Sequence, residues 1–221
     1  MRPLVAKGGW IWGTDGKLRM FRATEPNDSP WIHAPHRIPE SEEAGVDCGI
    51  LTIMHNHVLQ RKAAPTFCME CYKVVIVPKS LEHVHKIHEW QQGLGVACKV
   101  GAERRPYTQR VWGAYFYCRG VEQGRERYKQ VREWVDENLG EDVVVFLKRA
   151  CTEFEQNLGD SDQWEKIPNQ DEIEKEFLGE VLDYEPFSTY QSDVSQHDTW
   201  DIWDEWDAAN QPPVTYHDKE K

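Results

Sequence analysis

The sequence contains no apolar run long enough to span a bilayer, and its opening stretch, Met1-Arg2-Pro3-Leu4-Val5-Ala6-Lys7, lacks the apolar core of a signal peptide. These absences set the expectation of a soluble cytoplasmic protein with no membrane partner, whose cysteines are reduced or metal-bound rather than disulfide-paired. Basic residues are scarce at the C-terminal end: residues 151–221 hold 4 basic and 20 acidic side chains. Residues 61–150 reverse the balance with 16 and 11, and residues 1–60 carry 6 and 7. The net charge of −12 therefore belongs to an acidic tail attached to a mildly basic body.

What is present is centred on Tyr72 to Thr152. Runs of β-branched and aromatic residues predict strands over 72–77, 96–100, 111–118 and 143–151. Apolar residues three and four apart predict helices over 80–93 (Leu81, Val84, Ile87, Leu94) and 121–139 (Val121, Tyr128, Val131, Val135). Ser80 is the expected N-cap of the first helix, while Gly93, Gly95 and Gly140 punctuate the helix ends. The order βαββαβ resembles the ferredoxin-like arrangement, which implies an α+β fold with strand order 4-1-3-2 and both helices on one face.

The remainder divides around this core. Residues 1–62 read as a β-rich extension, with a hairpin from Gly9–Gly13 to Leu18–Arg22 about the turn Thr14-Asp15-Gly16, and a strand over Gly49–Met54. Residues 63–155 form the core, 156–183 a helical extension with Ile173, Phe177 and Val181 at helical spacing, and 184–221 an acidic tail that is partly disordered. Within the tail, Trp200, Trp203 and Trp206 recur every three residues among acids. That stripe suits docking to a protein partner, or back onto the chain's own basic body.

Cys68-Met-Glu-Cys71 is the sharpest local motif, because two thiolates three apart can wrap one soft cation. In the 4-1-3-2 order, Cys98 lies early in strand two, Cys118 closes strand three and Cys151 falls near the end of strand four, all at the end of the sheet where Cys71 immediately precedes strand one. The expected metal set is Cys68, Cys71, Cys98 and Cys118, with Cys151 or His57 as substitutes; zinc is the expected ion and an iron–sulfur cluster the alternative. His55-Asn56-His57 resembles the paired histidines of rolling-circle replication endonucleases, but an Asn stands between them and no Tyr-x-x-Lys follows. Ligation by these histidines beside Cys48 or Cys68 stays open. His83, His85 and His88 come near a two-Cys two-His finger spacing, and are expected on a solvated helix face instead.

At the other end of the sheet lie Lys99, Arg104, Arg105 and Arg110. They lead into Arg110-Val-Trp-Gly-Ala-Tyr-Phe-Tyr117, which partly resembles the aromatic signature of RNA-recognition motifs. Val111 replaces the glycine of that signature and Ala114 one of its stacking residues. The resemblance implies nucleic-acid contact through Lys99, Arg104, Arg105, Arg110 and Trp112. Glu153 and Glu155, on a continued strand four, would stand near the cysteines as ligand or base for a metal-dependent enzyme. The expected function is a zinc-stabilised binding protein associated with nucleic acid; the alternatives are an enzyme using the cysteine cluster and a component of a larger assembly.

Overall fold

A computed structural model describes residues 9–12, 18–21, 30–34, 48–105, 108–178 and 196–210. The predicted turn Thr14–Gly16, most of the loops before residue 48, and residues 179–195 and 211–221 lie outside the described residues.

In chain order the elements are β1 (Gly9–Trp12), β2 (Leu18–Phe21), β3 (Trp31–Ala34), α1 (Cys48–Ile53), a π turn (Met54–Val58), α2 (Thr66–Met69), β4 (Cys71–Val77), α3 (Leu81–Leu94), β5 (Cys98–Ala102), β6 (Trp112–Arg119), α4 (Gly120–Asn138), β7 (Val144–Arg149), α5 (Thr152–Leu158), a 3-10 turn (Ser161–Gln163), α6 (Gln170–Glu176) and α7 (Gln196–Asn210). β1 and β2 pair as the antiparallel hairpin read from the sequence. The fold is α+β around one antiparallel sheet of five strands, ordered β3-β5-β6-β4-β7. β4, β5, β6 and β7 are the four strands predicted for the core, while β3 adds a fifth at the edge beside β5.

The predicted helices are found with their caps. The Ser80 hydroxyl accepts from the His83 amide, and Gly95, at φ 64°, closes α3 in the left-handed region. Val84 and Ile87 of α3 and Val131 and Val135 of α4 are fully buried against Val74, Ile76, Phe116 and Val100 of the sheet. Trp90 and Trp134 stack between the two helices at 4.1 Å, nearly parallel.

The N-terminal half of the chain departs from expectation. Gly49–Met54 is helix continued by a π turn, not strand. Leu51, Met54 and His55 are buried at helical spacing, and Asn56 donates to the Thr52 and Ala63 carbonyls, which holds the turn together. β7 ends at Arg149, two residues before the predicted end, because Ala150 adopts φ 54°. Among the described residues no helix is long and apolar enough to cross a membrane.

Candidate metal centre

Strand pairing decides which cysteines can share a site. In β4, Val74 and Ile76 face the helices, so Tyr72 does too, and Cys71 and Lys73 face the other way. Cys118 pairs opposite Tyr72, and Cys98 opposite Phe116, which belongs to the helix-side core. Both therefore lie on the helix face, across the sheet from Cys71. Each has a local partner there: the Cys98 thiol donates to the Ala34 carbonyl at 2.9 Å, and Cys118 Sγ lies 3.8 Å from the Phe116 carbonyl. Burial pushes the Cys98 thiol up to about 12. The structure does not bring Cys98 and Cys118 together with Cys68 and Cys71.

Two other cysteines take their place. Cys68, in α2, hydrogen-bonds Cys48 of α1 and also feels Cys151 and Cys71; the Cys48 bond and burial together drive its pKa far above the thiol range. Cys71 feels Cys151 and Cys48, and burial pushes it up to about 11. Cys151 reaches this side because the left-handed Ala150, itself buried, interrupts the alternation of β7. Its sulfur lies 2.8 Å from Lys73 Nζ. Cys48, Cys68 and Cys71 lie on α1, α2 and β4, and Cys151 lies between β7 and α5. Among the described residues, no group of three or more His, Cys, Asp or Glu could hold a metal ion.

The histidines have other duties. His55 is fully buried and its Nε2–H donates to Glu174 Oε1 at 2.8 Å; Glu174 also accepts from the Thr66 amide and from Gln170. This polar joint fixes α6 to the π turn. The side chain of His57 lies outside the described residues. His88 is buried and His85 half-buried, not on a solvated face: both pack edge-on against Trp200 and Trp203 of α7.

The residues expected to touch nucleic acid are largely engaged inside the protein. Trp112 is in the helix-side core, 2 % exposed, because it shares parity with Ala114 and Phe116. Lys99 lies over Trp31 and Tyr115 on the second face, and burial beside Lys73 and Arg105 lowers its amine to about 8. Arg105 pairs with Glu103 and Glu153 and donates to Tyr115. Arg110 covers Phe146, and exposed Arg104 sits over Trp206. Glu153 and Glu155 lie on α5 rather than on a continued strand, pairing with Arg105 and Lys148 across the second face.

The predicted docking stripe is seated on its own chain. Trp203 is fully buried and donates its indole N–H to the Pro30 carbonyl at 2.8 Å, and Trp206 donates to the Val111 carbonyl at 3.0 Å. A cleft of about 690 Å³ lies elsewhere, lined by Leu51, Phe67, Glu70, Arg119, Asp171 and Lys175 among others. No family model matches the chain, and no curated protein or solved structure matches it at a significant level.

Proposed function

We propose that this chain is a zinc-stabilised binding protein built on a ferredoxin-like core. The fold part is supported by the order β5-β6-β4-β7 within the sheet and by two crossover helices stacked through Trp90 and Trp134. One observation carries the metal part: Cys68, on α2 and hydrogen-bonded to Cys48, and Cys71, at the start of β4, bracket one end of the sheet three residues apart. Buried neutral thiols gain little from such company, whereas thiolates gathered on a soft dication gain both charge compensation and cross-linking. The centre needs reduced thiols, which in this reading places the protein in the cytoplasm. Nucleic acid remains the proposed ligand class, through exposed cations such as Arg104 and those of α4 rather than through Trp112 or Lys99.

The test is elemental analysis of protein purified without added metal, together with its ultraviolet–visible spectrum. About one zinc per chain and no visible absorption supports the reading, and metal-free folded protein overturns it. The Lys73–Cys151 contact favours a second reading, an enzyme or iron–sulfur protein that uses the cysteine cluster, because an ammonium beside a sulfur stabilises a reactive thiolate. Iron with sulfide and a brown colour would move the assignment there.

A further inference from the structure

We propose that Cys151 and Lys73 form a peroxide-responsive pair: a hydroperoxide oxidises the Cys151 sulfur, and the Lys73 amine then captures it in a sulfur–nitrogen bond that ties β4 to the chain leaving β7. The proposal rests on the second reading above for the contact of ammonium with sulfur, and it needs no metal.

The contact is built from both sides. Lys73 Nζ lies 2.8 Å from Cys151 Sγ, inside the separation of about 3–3.5 Å at which reacting atoms are poised. On the lysine side, the side chain is 6 % exposed and its ammonium lies over the Tyr117 ring. A buried ammonium requires a nearby anion. The carboxylates of this face are engaged elsewhere, Glu103 and Glu153 by Arg105 and Glu155 by Lys148, and among the described residues none pairs with Lys73. The sulfur therefore serves as the anion. On the cysteine side, the buried Ala150 stands at φ 54°, which costs on the order of 1 kcal/mol in a residue with a Cβ. Its amide donates to the Cys71 carbonyl at 2.7 Å, so the turn that carries Cys151 is fastened to β4 beside Lys73. Cys151 keeps partial exposure, as a thiolate that meets a small solute must. Cys98 and Cys118 are buried beside backbone carbonyls, which do not stabilise a thiolate.

The thiolate attacks one oxygen of the hydroperoxide. A sulfur–oxygen bond forms, the oxygen–oxygen bond breaks, and the departing alkoxide takes a proton from the Lys73 ammonium. Sulfenic acid and neutral amine are left side by side. The amine lone pair attacks the sulfur, a sulfur–nitrogen bond forms, and the hydroxyl leaves as water with a proton from nitrogen. One thiolate, one ammonium and one hydroperoxide thus give a sulfenamide, one alcohol and one water. Sulfur loses two electrons and the peroxide gains them. A thiol reverses the bond by attack at sulfur, which returns the lysine amine. The cross-link stops the sulfur short of the irreversible sulfinic stage.

The experiment treats the full-length wild-type chain with a small molar excess of hydrogen peroxide and maps the products by peptide mass spectrometry. The expected product joins the Lys73 and Cys151 peptides, weighs two hydrogens less than their sum and disappears on addition of dithiothreitol. Cys98 and Cys118 should remain thiols under the same exposure. Cys151 left as a thiol, carried to sulfinic acid without a bond to Lys73, or joined to another cysteine overturns the proposal. Two variants separate the roles of the lysine. Lys73→Arg keeps a cation but offers no free amine, so Cys151 should be trapped by dimedone as sulfenic acid, with no cross-link. Lys73→Met should lose the cross-link and slow Cys151 oxidation at least about tenfold. An unchanged rate overturns the part given to the ammonium. Should either variant fail to fold, the wild-type map decides by itself. Absence of iron and sulfide from wild type would end the cluster reading and leave this pair untouched, since the map reads Cys151 and Lys73 directly.

Discussion

Lys73 Nζ, on β4, stands 2.8 Å from the Sγ of Cys151, which follows β7 and lies 78 positions on. The contact exists because Lys73 shares the parity of Cys71 on β4, and because Ala150 swings the chain over as β7 ends. Replacing Lys73 with Met keeps the length and apolar stem and removes the donor. On the zinc reading proposed above, the expected outcome is a folded protein that yields the metal to a competing chelator 10–100-fold more readily, the usual effect of losing an outer-shell partner, on the order of 1.4–2.8 kcal/mol. Chelator competition on wild type and variant measures it; equal affinities would remove Lys73 from the site.

Trp203 and Gly101 are coupled through Pro30. A Cβ on Gly101 would fall 1.9 Å from the Pro30 carbonyl oxygen, the same oxygen that accepts the Trp203 indole N–H. Gly101→Ala is therefore expected to detach β3 from β5 and to loosen α7 with it. Trp203→Ala should cost roughly 3–5 kcal/mol, the range for truncating a fully buried large aromatic. Denaturant unfolding gives the magnitude. Hydrogen exchange at Trp31–Ala34 distinguishes the two variants, since only Gly101→Ala should unprotect that strand.

Lys99 gives a stability profile with a defined sign. Burial, with Lys73 and Arg105 nearby, holds its amine at about 8 in the folded chain against 10.5 ordinarily. Between those values the unfolded chain binds a proton that the folded chain has released, so stability rises with pH across the window. Denaturant titrations from pH 8 to 10.5 should show wild type gaining stability relative to Lys99→Met, a comparison in which the opposite contribution of the buried thiols cancels. A wild-type advantage that stays flat or shrinks across the window would contradict the burial argument.

Glu174 behaves in the opposite sense. Burial raises its pKa, but hydrogen bonds from His55, the Thr66 amide and Gln170 outweigh that and hold the carboxyl below its ordinary value of 4.5. A depressed carboxyl contributes stability above its unfolded pKa and loses it as pH falls through the folded one. Glu174→Gln should be clearly less stable than wild type near neutrality, and the difference should close in acid. A gap that is constant with pH would mean that shape, not charge, holds α6 to His55.

The central strands and both crossover helices were legible because each is a local signal: β-branched runs such as Lys73–Val77, a 3.6-residue stripe such as Val84 and Ile87, and the Ser80 cap. The end of the sheet at which cysteines gather also followed from order alone. Which face each one occupies did not, because that depends on register, and one residue of offset between Cys71 and Cys118 moves them to opposite faces. Trp112 was misplaced by the same parity. Gly49–Met54 read as a strand because a short apolar run has no period of its own, although burial of Leu51, Met54 and His55 follows helical spacing. The Cys151 turn was not readable at all, since an alanine gives no sign of a left-handed backbone. Nor was the His55–Glu174 pair, 119 residues apart.

X-ray absorption at the zinc edge of the purified wild-type chain tests the account most directly. On the zinc reading proposed above, sulfur neighbours at roughly 2.3 Å are the predicted result. A shell of nitrogen and oxygen alone, or protein that folds with no zinc at all, would contradict that reading.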